Sequence, residues 1–123
     1  WQSADGEPEL ILIASGSEIQ IALKTAEKLA AEMTVRVVNM VSMELFDRQP
    51  ADYREGILPS ACRARVSVEA GRSIGWERYV GPDGASLSRE AFGDSAPGEV
   101  LVEKFGFTAE RVEQMARDVL AAL

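Results

Sequence analysis

The sequence contains no histidine and a single cysteine, Cys62. Without histidine, the Ser-His and Cys-His pairs of nucleophilic enzymes are excluded, and so is imidazole ligation of a metal ion. One cysteine excludes an internal disulfide and a multi-cysteine metal site, and it suits a reducing cytoplasm. Any chemistry carried by these residues must therefore use carboxylates, lysines, tyrosines or Cys62.

Long apolar runs and an excess of positive charge are also missing. The longest aliphatic run, Leu10 to Ala14, has the length of a strand, so we expect neither a membrane span nor a signal peptide. Thirteen basic against twenty acidic residues give a net charge of −7, which argues against nucleic-acid and anionic-membrane partners. The 123 residues predict one domain, and the lack of a methionine before Trp1 suggests a segment of a longer polypeptide.

The first forty residues are typical of a βαβ unit. Residues 9–14 form a near-continuous aliphatic run, as in a parallel strand covered on both faces. Ser17 and Gln20 have the spacing of a capping box that starts a helix. Residues 34–40 are rich in valine and predict a second strand. Apolar residues at helical spacing give the intervening helix one apolar stripe: Ile19, Ala22, Leu23, Ala26, Leu29, Ala30 and Met33.

The middle of the chain predicts a helical segment followed by a strand. Pro50 fits the first turn of a helix, and Gly56 and Pro59 close that segment. Residues 65–70 alternate between apolar and polar side chains. This alternation indicates a strand near a sheet edge or a strand whose polar face meets a polar partner.

The last fifty residues contain weaker signals until the final helix. We predict a short helix capped at Ser73, a fourth strand over residues 85–92 and a helix from Pro97 to a C-terminal Gly106. Thr108 is expected to cap the last helix, whose apolar stripe is Val112, Met115, Ala116, Val119, Leu120 and Leu123. The alternation of strands and helices predicts an α/β fold, a three-layer sandwich around a mostly parallel sheet.

The turn Ser15-Gly16-Ser17 lies where α/β enzymes often bind phosphate, between a strand and a helix start. It has one glycine and no following lysine until Lys24, so it matches neither a Walker loop nor a dinucleotide fingerprint. A structural role explains it, since Gly16 permits the tight turn and Ser17 caps the helix. Weak anion binding at the helix start is the alternative.

Gly93-Asp94 is the beginning of the G-D-G motif with which thiamine-diphosphate enzymes hold magnesium. The third residue here is Ser95, and no asparagine follows. We therefore favour a loop in which Ser95 or Ala96 caps the helix at Pro97. Other carboxylates near strand ends or turns have no partner at a fixed spacing and do not predict an acid/base pair: Glu69, Asp83, Asp94 and Glu99, with Asp47 and Asp52 near Pro50.

Two further features are explained by packing in the core rather than by a functional site. Trp76 and Tyr79 are one helical turn apart and could line a pocket or an interface, although core packing is the commoner role of such a pair. Cys62 is near Arg63 and Arg65, but a buried thiol is favoured over a nucleophile. The residues alone thus predict an acidic α/β domain without a self-sufficient active site.

The chain resembles the carboxy-terminal domain of bacterial transketolases from about Glu9 to its end. "FDRQPADYRE" and "FGDSAP" followed by "FGFT" are the most specific stretches, since general α/β patterning produces neither. The other matching stretches, in order, are "ELILIASGSE", "VRVVNM", "RVSVEAG", "WERYVG" and "VEKFGFTAERV".

This resemblance implies a mixed five-stranded sheet and a place in a homodimeric enzyme that depends on thiamine diphosphate and magnesium. Such enzymes move a two-carbon ketol unit from a ketose phosphate such as xylulose 5-phosphate to an aldose phosphate such as ribose 5-phosphate. In the family, two preceding domains bind cofactor and substrate, whereas the third contributes to subunit contacts. We therefore expect no catalytic, cofactor-binding or metal-binding residue here, and the remaining transketolase domains as partners.

We predict one domain over residues 1–123, with residues 1–8 as a linker, and a non-catalytic role in dimer and domain packing. A second hypothesis is a regulatory module that binds a small molecule at the carboxyl ends of the strands: Ser15, Gly16, Ser17, Glu69, Gly71, Gly93 and Ser95. A third is a separate subunit of a split enzyme, with which an exposed Trp76, Tyr79 or Leu123 would agree.

Overall fold

A parallel sheet forms the centre of the molecule. The computed structural model describes residues 1–69, 76–88 and 108–123. Its sheet has the strand order β2-β1-β3-β4, and each neighbouring pair is parallel. The strands are β1 (Leu10–Ala14), β2 (Val35–Asn39), β3 (Arg65–Glu69) and β4 (Ala85–Ser88).

Helices cover both faces of the sheet, so the predicted three-layer α/β sandwich is confirmed. Within the described residues the sheet has four strands rather than the expected five, and its one antiparallel element is an isolated bridge between Gln2 and Arg36. No helix in the described ranges has both the length and the apolar character needed to cross a membrane. The helices are α1 (Ile19–Leu29), α2 (Met43–Asp47), α3 (Ala51–Ile57), α4 (Glu77–Val80) and α5 (Ala109–Ala122), with a 3₁₀ turn at Gly16–Glu18 before α1.

The core has two layers, one on each face of β1. Every residue of β1 is completely buried. Because side chains alternate along a strand, Leu10 and Leu12 pack into one layer with α1 and α5, and Ile11 and Ile13 pack into the other. The second layer contains Trp76 and Tyr79, which confirms their predicted role in core packing.

The helix starts agree only in part with the sequence. Thr108 caps α5 as predicted, since its hydroxyl accepts the N–H of Arg111 at 3.1 Å. The predicted Ser17–Gln20 capping box is wrong, because Ser17 lies inside the 3₁₀ turn and its hydroxyl donates to the Glu18 carboxylate at 2.8 Å. A helix start outside the prediction is that of α2, which Ser42 caps.

Strand β3 lies in the interior of the sheet, between β1 and β4. Of the two explanations for its alternation, the polar partner is therefore correct. The buried Ser67 hydroxyl donates to the hydroxyl of Ser86 on β4 at 2.7 Å. This pairing satisfies a polar group that would be costly to bury alone.

Several predicted boundaries lie in or beside the undescribed ranges. Helix α4 has Trp76 as its N-cap, so the predicted cap at Ser73 is not the start of this helix, and Ser73 lies outside the described residues. Strand β4 confirms the first half of the strand predicted over residues 85–92. The predicted helix from Pro97 to Gly106 is outside the described residues, and Pro50 is the N-cap of α3 rather than part of its first turn.

The side chain of Arg65 joins three stretches of backbone through four carbonyl oxygens. Its guanidinium donates to the carbonyl oxygens of Cys62, Leu58, Pro59 and Tyr79 at 2.6–3.2 Å. Partial burial lowers the pKa of Arg65, so the carbonyl dipoles supply the stabilisation that water would otherwise give. Arg65 thus ties the start of β3 to the ends of α3 and α4.

Helices α1 and α5 are joined by a buried hydroxyl and by surface ion pairs. The completely buried Thr25 hydroxyl donates to the carbonyl oxygens of Ile21 and Ala109, at 2.8 and 3.3 Å. Arg117 on α5 pairs with Glu32 at 2.7 Å. The buried hydrogen bond fixes the position of α5 relative to α1. The exposed ion pair contributes little to the stability of the fold.

Gly84 is predicted to be intolerant of any side chain. An added Cβ would collide with the carbonyl oxygens of Arg65 and Val80 and with the Val80 side chain. Gly84→Ala should therefore lower the free energy of unfolding by about 1–3 kcal/mol in urea titrations. The matched control is Gly56→Ala in α3, where a Cβ meets nothing within 4 Å and should stabilise by about 0.5 kcal/mol. Equal effects of the two substitutions would contradict this packing.

A second pair of variants tests the Arg65 carbonyl cluster. Arg65→Met should lower the free energy of unfolding by about 2–4 kcal/mol, because it leaves partly buried carbonyl oxygens without donors. Arg63→Met, two residues away, removes only an exposed ion pair with Asp83 and should cost less than about 1 kcal/mol. Chemical denaturation of both variants measures the difference. A cost for Arg65→Met as small as that for Arg63→Met would show that water replaces the lost donors.

Candidate functional site

The carboxyl edge of the sheet brings together two of the predicted site residues. Ser15 follows β1 and Glu69 ends β3, and these strands are adjacent and parallel. The Ser15 hydroxyl donates to the Glu69 carboxylate at 3.2 Å. The contact links residues 54 positions apart in the sequence and places a carboxylate beside the turn.

The turn has the left-handed glycine that its sequence predicts, although Ser17 does not cap the helix. Gly16 has a φ of +60°, in the left-handed region that glycine adopts without strain. The Glu18 N–H donates to the Ser15 carbonyl at 3.3 Å and closes the 3₁₀ turn. Gly16 and Ser17 are exposed. Gly16 therefore serves the connection between β1 and α1, as the structural explanation requires.

The other predicted site residues, Gly71, Gly93 and Ser95, lie outside the described ranges. The residues seen at this edge are thus Ser15, Gly16, Ser17 and Glu69. A serine hydroxyl that donates to a carboxylate, with no imidazole in the chain, does not form the nucleophile–base pair of acyl-transfer enzymes. Ligand binding by this set stays a prediction.

The described residues contain neither a cluster of metal ligands nor an activated thiol. No group of three potential metal-ligating side chains comes together within ranges 1–69, 76–88 and 108–123. These residues therefore do not fit a magnesium–diphosphate site. Cys62 is buried, which confirms the prediction of a buried cysteine. This burial raises the pKa of the thiol and disfavours its reactive thiolate.

A feature that the sequence did not predict is an apolar groove, which we call the β2 groove. It has a volume of about 720 Å³ and is bordered by β2, α2 and α3. Its lining includes four strongly exposed apolar side chains: Trp1 (57%), Val41 (83%), Leu45 (58%) and Tyr53 (52%). Only one other large apolar side chain among the described residues is similarly exposed, Leu123.

The wall of the β2 groove is held by a buried aromatic side chain beneath α2. The Tyr79 hydroxyl donates to the Asp47 carboxylate at 2.8 Å, and Arg78 donates to the same carboxylate at 2.7 Å. The hydrogen bond from Tyr79, followed by that from Arg78, lowers the pKa of Asp47. Phe46 packs edge-to-face on Tyr79 with ring centroids 5.6 Å apart. Asp47 is therefore a structural contact between α2 and α4.

These contacts also bear on the split-enzyme hypothesis, with which an exposed Trp76, Tyr79 or Leu123 would agree. Trp76 and Tyr79 are each only 4% exposed. Leu123 is 48% exposed at the end of α5. Within ranges 1–69, 76–88 and 108–123, the strongly exposed aromatic side chains are Trp1 and Tyr53, and both lie in the β2 groove. A sequence signal for the groove was present in Val41 and Leu45, which are apolar but follow no helix or strand stripe.

Comparison with known proteins places this fold in a family. The chain matches the Transketolase-like TK C-terminal domain over residues 1–108. Transketolase 2 of Vibrio parahaemolyticus is 51% identical over 121 residues, which are 98% of this chain and 18% of that protein. Transketolase 1 of Escherichia coli is 51% identical over 116 residues, 94% of this chain and 18% of that protein.

A solved structure agrees with these sequence relatives. The transketolase from Leishmania mexicana superposes with a TM-score of 0.82 at 42% identity, covering 96% of this chain and 17% of that one. The chain thus spans less than a fifth of the length of the relatives it matches. The resemblance seen in the sequence is confirmed, and the chain belongs to the family of transketolase C-terminal domains.

Proposed function

We propose that this chain is the non-catalytic C-terminal domain of a transketolase and supports its dimer and domain packing. The observation that carries the proposal is a family match over nearly the whole chain, to relatives of which the chain covers about 18%. A domain that is one part of a larger enzyme does not need a complete set of reacting groups of its own.

The proposed parent enzyme moves a two-carbon ketol unit between sugar phosphates in the cytoplasm. Thiamine diphosphate supplies the carbanion chemistry and magnesium anchors its diphosphate, and both would be held by residues of the other domains. The described residues of this chain bring together no three potential metal-ligating side chains. We derive no step of ketol transfer through them.

The chemistry of the described side chains is consistent with a packing role. The side chains of Arg65 and Thr25 donate hydrogen bonds to backbone carbonyl oxygens. The Asp47 carboxylate accepts hydrogen bonds from Tyr79 and Arg78. Hydrogen bonds of this kind fix the positions of helices. They leave the reacting groups of the enzyme to be supplied elsewhere.

A ligand-binding regulatory role is the second hypothesis. In its favour, Ser15 and Glu69 meet at the carboxyl edge of the sheet, where open α/β sheets bind ligands. The carboxylate beside the Ser15 hydroxyl makes this edge less suited to a phosphate than a lysine or arginine would. We therefore place domain packing first.

A domain exchange tests the proposed function. The region of Vibrio parahaemolyticus transketolase 2 that matches this chain is replaced by the 123 residues, and ketol transfer from xylulose 5-phosphate to ribose 5-phosphate is measured with thiamine diphosphate and magnesium. At 51% identity over 121 residues, the chimera should transfer ketol units at a rate within about tenfold of the intact relative.

The 123-residue chain alone is assayed under the same conditions, with the intact relative as the positive control. It should show no transfer above the uncatalysed reaction. Transfer by the isolated chain would overturn the non-catalytic assignment. An inactive chimera that binds thiamine diphosphate and is folded would contradict membership of a working transketolase.

A further inference from the structure

Among the described residues, the β2 groove gathers most of the strongly exposed large apolar side chains. Trp1, Val41, Leu45 and Tyr53 come from separate segments of the chain, yet all line one groove. Each is more than half exposed. Single exposed apolar residues are ordinary on a protein surface, but a contiguous set is typical of a surface that another protein covers.

The groove is also nearly free of charge on an acidic domain. The chain carries twenty acidic residues, yet the described residues that line the groove include neither aspartate nor glutamate. The one charged side chain in its lining, Arg36, donates to Gln2 and to the carbonyl oxygens of Gly56 and Ile57, each at 2.8 Å. Depletion of charge with exposed aromatic residues is the composition of an interface core.

The outer edge of β2 is already used as a template for strand pairing beside the groove. Trp1 and Val37 exchange both backbone hydrogen bonds, at 3.3 and 2.8 Å, and Ser3 donates to Val35 at 3.0 Å. These bonds flank an isolated antiparallel bridge, with Gln2 opposite Arg36. Any residues that precede Trp1 in a longer chain would therefore run along the groove toward Val41.

From these observations we infer that the β2 groove is the docking surface for the part of a transketolase polypeptide that precedes this domain. The inference rests on the proposed function. The relatives are more than five times as long as this chain, and the family is that of the C-terminal domain, so their remaining length lies on the Trp1 side. The occupant is thus an apolar surface of the same polypeptide, reached by the strand that continues from Trp1.

Thiol reactivity at engineered cysteines tests this inference. Leu45→Cys and Tyr53→Cys are made both in the 123-residue chain and in the chimera with Vibrio parahaemolyticus transketolase 2. Because both positions are more than half exposed, these substitutions should leave the fold intact, and the buried Cys62 gives a slow background. Ala31→Cys, at an exposed position beyond the end of α1, is the matched control.

We expect both groove cysteines to react with a maleimide at least about tenfold more slowly in the chimera than in the isolated chain, whereas Ala31→Cys reacts equally in both. Groove cysteines that react equally in both proteins would overturn the inference. Equal protection at Ala31 would overturn it too, because the slowing would not be specific to the groove. Protection in the isolated chain that grows with its concentration would identify a second copy as the occupant instead.

The same chimera separates the two proposals. Ketol transfer with freely reactive groove cysteines would retain the proposed function and reject the groove as the docking surface. An inactive but folded chimera with protected groove cysteines would support docking and count against the proposed function. Failure of both readouts would reject both.

Discussion

The burial of β1 on both faces is the constraint on which the rest of this structure depends. All five residues of the strand are completely buried, and they alternate between two core layers. Neither face can be left to water, because each exposed leucine or isoleucine would forfeit about 1.5–3 kcal/mol. One face is covered by the long helices α1 and α5, and the other by the short helices α2, α3 and α4. The long helices hold one another through Thr25, whereas the short ones are held by Arg65 and by the contact of Asp47 with Tyr79.

This division of labour separates two surfaces of the domain. The carboxyl edge of the sheet, where Ser15 meets Glu69, is the location that the α/β pattern singles out for a ligand. The β2 groove lies beside the edge strand and next to the short helices, and it holds four of the exposed large apolar side chains seen in the described part of the chain. The polar groups beneath it are satisfied by carbonyl oxygens and carboxylates of the domain itself. These polar interactions therefore hold the short helices in place, and the short helices present an apolar surface to the outside.

Periodicity predicted the elements that depend on a single pattern. Strand β1, helix α1, strand β2 and helix α5 follow from aliphatic runs and helical stripes, and Thr108 was a readable cap. The prediction of a capping box at Ser17 was wrong because Ser17 lies inside a 3₁₀ turn that precedes α1. The sequence pattern does not distinguish a residue in such a turn from a helix N-cap. Strand β3 lies in the interior of the sheet with its buried Ser67 bonded to Ser86 of β4, a contact between distant residues that no local pattern specifies. The Arg65 cluster and the β2 groove are likewise products of long-range packing, so of the candidate site only the Ser15–Gly16–Ser17 turn and nearby Glu69 were predictable.

The central claim is that this fold works as one domain of a longer transketolase polypeptide. The size of the native polypeptide in the source cells tests this claim most directly, by immunoblot with an antibody raised against the 123 residues. Because the chain spans about 18% of its relatives, the account predicts a band several times larger than 13.3 kDa. A single band at 13.3 kDa would contradict it, and the domain would then be an autonomous protein whose β2 groove needs another occupant.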